Sequence, residues 1–297
     1  MVKKKSRLKG FSPFQAINGV LLILLSVVML YPFVYIFAIA FNDSADTLRG
    51  GIWLYPRKFT FENIAVAFQD ARIFNSLVVS VLRVVVTTFL AVVLTVMLAY
   101  GVLDKTLVGR RFFLKYIFFS TLFSGGIIPF FLLMRDLNLV NKFWIYVLPA
   151  LYSFYNMIVI RATFEAVPDS LAESARLDGA GEFLILFRIY FPLSMPAVAT
   201  ISLFSIVFHW NDWFAGAFYV SDEALKPAAT LLQEIISSAA SDPTGPGGPS
   251  GGADIMSQSL QMAFVVILVT PVIVVYPFLQ KYFVKGAAVS YTHLRAH

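Results

Sequence analysis

The chain has 297 residues, 59% of them hydrophobic and 13% charged, with 30 Phe, no Cys and a formal charge of +6. Its mean hydropathy of +0.78 lies far outside the range of soluble globular domains and identifies an integral membrane protein. The missing cysteine excludes disulfides, thiolate metal sites and cysteine nucleophiles, and the basic residues show no basic face interleaved with aromatics, which excludes nucleic-acid recognition.

In chain order, residues 1–13 form a basic amino terminus with Lys3, Lys4, Lys5, Arg7 and Lys9. Six apolar segments follow, about Phe14 to Phe41, Phe74 to Leu103, Phe112 to Met134, Phe143 to Phe164, Pro196 to Val220 and Ser259 to Phe283. Each is long enough to cross a hydrocarbon core of ~30 Å as a helix, and none alternates as a barrel strand would. The predicted fold is all-α, a polytopic membrane protein with six transmembrane helices over residues 14–286. The first segment exceeds a signal-peptide core and lacks a small-residue cleavage site, so it reads as a retained span. With the amino terminus inside, 15 of the 23 Lys and Arg fall on the inner side and seven on the outer, with Arg83 inside a span. The positive-inside rule then places both termini in the cytoplasm, together with the loop 165–195. Two outer loops, 42–73 and 221–258, are too small for separate domains, and Ser241 to Gly252 is rich in Pro and Gly, as in a flexible connection. Asn42-Asp43-Ser44 is a formal glycosylation sequon, a three-residue match common by chance.

The inner loop has its own local logic. Pro168 ends the fourth span, and Ser170 with Glu173 has the form of a capping box at the start of a short helix whose apolar face is Leu171, Ala172 and Ala175. Gly179 is the expected stop, Asp178 to Gly181 a tight link of small residues, and Glu182 to Tyr190 a second helix interrupted by Pro192 and Pro196. Two short helices meeting at a glycine suit insertion into a groove of a partner, and equally an ordinary loop helix lying on the membrane surface.

Several residues stand at membrane depth. His209 to Trp213 begins ~20 Å into the fifth span if that span starts at Pro196. Trp210, Asn211, Asp212 and Trp213 offer aromatic faces and hydrogen-bonding groups that suit sugar rings, or else an interface anchor with helix-packing polar groups. Asp212 is the sharper case, because a carboxylate at that depth normally faces a cavity or a partner. Arg83 lies ~12 Å inside the second span, within snorkelling reach of the outer surface, with a substrate contact as the other reading. Asn156, and Gly125, Gly126 and Pro129, mark either a pathway lining with a kinked helix or close helix packing. His209, His293 and His297 have no metal-ligand spacing, so no metal site is expected, and no acid pair shares a helix face within a span.

The segment ESARLDGAGEFLILFRIYFP, Glu173 to Pro192, resembles the EAA motif of permease subunits of ATP-binding-cassette importers. Glu173, Ala175, Gly179, Ile189 and Pro192 match in register, while Ser174 and Phe191 depart from the pattern. Phe123 to Leu133, Phe154 to Pro168, His209 to Phe214 and Tyr276 to Gly286 extend the resemblance to the carbohydrate-uptake branch, closest to the oligosaccharide and polysaccharide permeases of the maltose type. The resemblance implies a permease forming half of a saccharide pathway in the bacterial cytoplasmic (inner) membrane. Its implied partners are a second permease subunit in a heterodimer, two cytoplasmic ATPases and an extracytoplasmic solute-binding protein. The loop helix would be a cytoplasmic coupling helix docked on an ATPase through Glu173, Ser174, Ala175, Asp178, Gly179 and Ala180.

The chain is then not an enzyme and binds no cofactor of its own, ATP and Mg residing on the ATPase subunits. This agrees with the absence of a GxxxxGK[ST] loop: Gly101 to Thr106 ends in Lys-Thr but lacks the second Gly. The alternative of another class is an ion-gradient-driven secondary transporter, which usually carries ionisable relays within its spans and needs no docking helix. The tail, residues 287–297, departs from the family pattern, and no role is assigned to it.

Overall fold

The computed structural model describes residues 13–240 and 258–274. The amino-terminal lysine cluster, the Pro/Gly tract, the segment Tyr276 to Gly286 and the tail lie outside the described residues. The described part is helical, and its β structure is a single isolated bridge between Asn42 and Phe59. The chain divides into two compact units, Met1–Gln69 with Thr244–Ile267, and Asp70–Pro243 with Leu268–His297.

In the first unit, α1 (Pro13–Ala40) is apolar on every side and buries only Ala38, Ile39 and Ala40, the surface expected of a helix that meets lipid around its circumference. After it the chain folds tightly. Asn42 is fully buried: its amide donates to Asp46 Oδ2 and Thr47 Oγ1 at 3.2 and 3.0 Å, and its carbonyl accepts Lys58 N at 2.8 Å. The Asn42 sequon is therefore structural, with no amide free for modification in the folded chain. The small helix α2 (Ser44–Thr47) and α3 (Glu62–Gln69) are tied to this knot, the latter through Asn63, which donates to the carbonyls of Ala40 and Asn42.

The second unit is organised around α4 (Ala71–Gly101), capped by Asp70, which accepts Arg72 N. Its buried face carries Ser76, Ser80, Arg83 and Thr87, spaced three or four apart and thus on one stripe of the helix. Polar residues buried along such a stripe hold only if neighbouring helices supply partners. Ala228 N donates to Ser80 Oγ at 2.7 Å, and Thr88 and Ser205 share a hydrogen bond of 3.0 Å. These two partners come from α13 (Ala228–Ala240) and α11 (Met195–Asn211), which pack on α4 together with α7 (Phe154–Glu165), while the Thr87 hydroxyl is buried without a hydrogen-bond partner among the described residues.

The third to fifth apolar segments are bent rather than continuous. Helices α5 (Arg110–Leu122) and α6 (Ile127–Asp136) meet at 117°, where Ser124-Gly125-Gly126 interrupts the helix and Gly126 takes φ +82°, a value glycine adopts without a Cβ penalty. Phe143–Ala150, two 3₁₀ turns, meets α7 (Phe154–Glu165) at 48°. The short loop helix α8 (Asp169–Leu177) and α9 (Glu182–Ile185) follow. A π-helical stretch, Leu186–Tyr190, leads into α10 (Phe191–Leu193), where Pro192 can give no amide to the carbonyl four residues back, and a wider turn accommodates that loss. This run meets α11 (Met195–Asn211) at 82°. Helix α11 ends at Asp212, α12 (Phe214–Tyr219) starts at once, and α13 (Ala228–Ala240) and α14 (Gln258–Val274) complete the described chain.

Among the described residues, two helices, α1 and α4, are individually long and apolar enough to cross a membrane. The middle segments, legible from hydropathy as lengths sufficient to cross, are bent at Gly126 and interrupted at Asp212. The main core lies at one end of α4, where Val96, Ala99, Met157, Ile160, Phe164 and Tyr190 pack together.

Candidate functional site

The loop helix α8 is built from strong local signals. Asp169 in its first turn and Arg176 in its last complement the helix dipole. The expected capping box does not form: Pro168 occupies the N-cap with φ −59°, helix begins at Asp169, and Ser170 falls inside it. Proline already sets the entry dihedral and has no amide to be capped.

The glycine stop is as expected and is a full Schellman closure. Ala180 N donates to Ala175 O at 2.9 Å and Gly179 N to Arg176 O at 3.0 Å, with Gly179 at φ +84°. These are the two bonds that satisfy a helix end when the residue after the C-cap turns left-handed.

The six residues expected to dock divide by face. Glu173, Ser174, Asp178 and Gly179 are exposed, whereas Ala175 and Ala180 turn inward onto the core beside the buried Ala172. Leu171 is exposed rather than part of the apolar face, and Leu177 is 89% exposed. The sequence carries a signal for Leu177, a large apolar residue two positions before Gly179 on a polar helix.

An ionic clasp closes the corner. Arg176 donates to both Glu182 carboxylate oxygens, at 2.8 and 3.1 Å, and the Tyr100 hydroxyl at the end of α4 donates to Glu182 as well. Tyr100 in turn meets Phe164 and Tyr190 edge-on, with centroids 6.4 and 5.2 Å away. The Arg176 guanidinium, with the Tyr100 hydroxyl, holds the Glu182 carboxyl down at about 2, below its ordinary 4.5. Asp104, Lys105, Glu173 and Arg176 face one another across a cavity of about 1050 Å³ beside this clasp.

The residues expected along a substrate pathway do not share one place. Asp212 lines a cavity of about 700 Å³ with Gly125, Gly126, Pro129, Phe208 and Tyr219, so the two helix breaks, α5/α6 and α11/α12, face the same space. Asn156 lines a second cavity of about 380 Å³ with Thr95, Tyr152, Ser153, Ser205 and His209. Trp210 and Asn211 sit elsewhere, on an apolar groove with Val81, Val85, Ile206 and Pro271. Trp213 packs against Phe214 and Phe218.

Arg83 corrects its expectation. It does not snorkel: it is 1% exposed, donates from Nη1 to the Asp212 carbonyl at 2.8 Å and from Nη2 to the Asp212 carboxylate, and stands 4.6 Å over the Tyr146 ring. An arginine that finds a carboxylate, a carbonyl and an aromatic face inside the protein has no drive toward the interface. Pairing with each other offsets part of the desolvation cost of Asp212 and Arg83, with Arg83 Nε left buried without a hydrogen-bond partner among the described residues. Asp212 also accepts Phe214 N at 3.0 Å, so its side chain fixes the entry into α12.

Comparison with known proteins gives a consistent answer. Residues 64–289 match the model of the family "Binding-protein-dependent transport system inner membrane component". The chain is 34% identical over 266 residues to the polygalacturonan/rhamnogalacturonan transport system permease protein YtcP of Bacillus subtilis (strain 168), covering 90% of this chain and 93% of that one. It is 34% identical to protein LplC of the same organism over 264 residues, 89% of each. A crystal structure of a bacterial ABC transporter involved in the import of the acidic polysaccharide alginate superposes with a TM-score of 0.82 at 30% identity, over 91% of this chain and 96% of that one. The chain thus belongs to the binding-protein-dependent transport system inner membrane component family, the permease subunits of ATP-binding-cassette importers.

Proposed function

We propose that this permease forms half of the translocation pathway for an oligosaccharide or polysaccharide and that α8 is the coupling helix through which partner ATPases drive it. The observation that carries the reading is the corner at Gly179. A helix of nine residues is closed by a Schellman motif, turns Ala175 and Ala180 onto the permease core, and leaves Glu173, Ser174, Leu177 and Asp178 free on its outer face. An exposed leucine on an otherwise polar helix suits a groove that excludes water around an apolar anchor. The clasp from Arg176 through Glu182 to Tyr100 joins this helix to the end of α4, which gives a push on α8 a stiff route into the bundle.

In this reading six spans cross the inner membrane with both termini and the α8 loop in the cytoplasm. The bent segments at Gly126 and Asp212 are broken spans whose irregular backbone lines a cavity, where it is tolerated in lipid. The partners are a second permease, two ATPases carrying ATP and Mg, and an extracytoplasmic solute-binding protein. The family is a non-catalytic membrane subunit, with hydrolysis on its partners. Similarity to one permease named for polygalacturonan/rhamnogalacturonan transport and to an alginate importer supports a saccharide, including acidic ones, as substrate. The 700 Å³ cavity, with Phe208 and Tyr219 beside Asp212, joins aromatic faces to a hydrogen-bond acceptor as sugar sites do.

The test is uptake of labelled oligogalacturonide into proteoliposomes holding the complete transporter, with ATP inside and the binding protein outside. Accumulation that requires ATP and persists when ion gradients are collapsed supports the proposal. Uptake that follows a proton or sodium gradient without the ATPases would replace it with a secondary transporter.

A further inference from the structure

We propose that Arg83 is a positioning residue for transport. From behind the cavity wall it neutralises Asp212, so that this wall presents a fixed hydroxyl acceptor without repelling an anionic saccharide. The proposal rests on the reading that the 700 Å³ cavity belongs to the saccharide path.

Asp212 is the only charged residue among the described residues that line this cavity, and about a fifth of its side chain is exposed, 20% against 2% for Arg83. One carboxylate oxygen accepts Phe214 N at 3.0 Å and the other is taken by Arg83. An ionised carboxylate has about four lone-pair positions, so acceptor capacity remains for a sugar hydroxyl while both oxygens are held in place. Arg83 cannot reach the cavity itself: Tyr146 covers its face at 4.6 Å and its second nitrogen is bound to the Asp212 carbonyl at 2.8 Å. Whatever it does to a substrate passes through Asp212.

The sign of the effect follows from Coulomb interaction in a partly dehydrated site. A carboxylate paired at contact with a guanidinium exerts a short-range dipolar field, whereas the same carboxylate alone is a full negative charge facing the path. A polymer of uronate units would meet that charge at every ring that passes. Lysine would keep the countercharge but, as a point donor, would not hold the carboxylate and the backbone carbonyl together as a guanidinium fork does.

The experiment measures KM for oligogalacturonide uptake in the reconstituted complete transporter with Arg83→Gln, Arg83→Lys, Asp212→Asn and the double Arg83→Gln/Asp212→Asn. We expect Arg83→Gln to raise KM about tenfold, Arg83→Lys to stay within about threefold of wild type, and the double variant to return to within about threefold because the unpaired charge is gone, a strong non-additivity of neighbouring sites. A merely structural role would leave the double variant as damaged as Arg83→Gln, and that result overturns the proposal, as does a KM for Arg83→Gln within twofold of wild type. Should Arg83→Gln fail to assemble, the double variant decides: near-wild-type KM supports the proposal and a tenfold increase contradicts it. Absence of ATP-driven uptake by the wild-type transporter would instead refute the functional reading on which this rests.

Discussion

Gly179 gives the sharpest perturbation. Its φ of +84° lies in the left-handed region, and a Cβ built there would meet nothing within 4 Å, so within this chain the cost of a side chain is conformational rather than steric. A non-glycine residue forced into this region costs about 1 kcal/mol as Ala and about 2 kcal/mol when β-branched. Those costs correspond to lowering the closed-to-open ratio of the corner roughly fivefold and thirtyfold. Asn, which tolerates this region, costs less. ATP-driven uptake in proteoliposomes is therefore expected to fall in the order Gly, Asn, Ala, Val at position 179. Gly179→Pro would be worst, since proline fixes φ near −65° and deletes the amide that binds Arg176 O. Membrane insertion, read from protein yield in purified membranes, should be equal across the series. Gly179→Val with wild-type uptake, or Gly179→Asn as damaging as Gly179→Val, would refute the reasoning from backbone strain.

Other outcomes follow from single contacts. Leu177→Asp should abolish co-purification of the ATPase, a loss of at least about 2 kcal/mol as for an interface anchor, while leaving the melting temperature of the free permease unchanged because Leu177 is 89% exposed. Glu182, held near 2 against an ordinary 4.5, has a depressed folded-state value. Its clasp should therefore be intact at and above about pH 4.5 and be lost as pH falls toward about 2. Infrared titration of its carboxylate band, identified by Glu182→Gln, reads this directly. Because the clasp is largely solvent-exposed, with side chains 48% and 57% accessible, Glu182→Gln should destabilise the fold by less than about 1 kcal/mol and show itself mainly as ATP hydrolysed without uptake. Gly216 is a contrasting glycine: a Cβ there would meet Thr230 Oγ1 at 2.1 Å and Pro227 Cδ at 3.0 Å. Gly216→Ala should thus lower the thermal stability of the purified permease by about 1–3 kcal/mol through overpacking.

The parts legible in the sequence were those set by local chemistry. The glycine stop at Gly179 and the apolar lengths of α1 and α4 follow from glycine's freedom at positive φ and from hydrophobic run length. The capping box failed because two local rules competed at one helix start, and Pro168 determined the entry before Ser170 was reached. The middle spans are legible as apolar lengths but not as bent helices, because hydropathy does not register backbone direction. Gly125, Gly126 and Pro129 leave a kink and close helix packing equally open in the sequence, and nothing in the composition specifies 117°. The role of Arg83 was out of reach for a different reason: Asp212 is 129 residues away in sequence, and depth along one helix says nothing about which partner stands beside it. Asp212 and Asn156 were singled out for the right chemistry but face separate cavities, and Trp210 and Asn211 face neither. Consecutive residues on a helix point about 100° apart, so His209, Trp210 and Asn211, all within α11, already face different ways before the break at Asp212, and the run from His209 to Trp213 does not act as one patch.

The chain has no cysteine, so Leu177→Cys carries a single thiol and permits one decisive measurement. In inside-out vesicles of the assembled transporter, that thiol should form a cross-link to the ATPase with a short bifunctional reagent, and should react with a membrane-impermeant maleimide only after the ATPase is stripped away. Labelling from the external face of right-side-out vesicles, or full maleimide reactivity with the ATPase bound and uptake running, would contradict the claim that α8 conveys ATPase motion to the membrane gate.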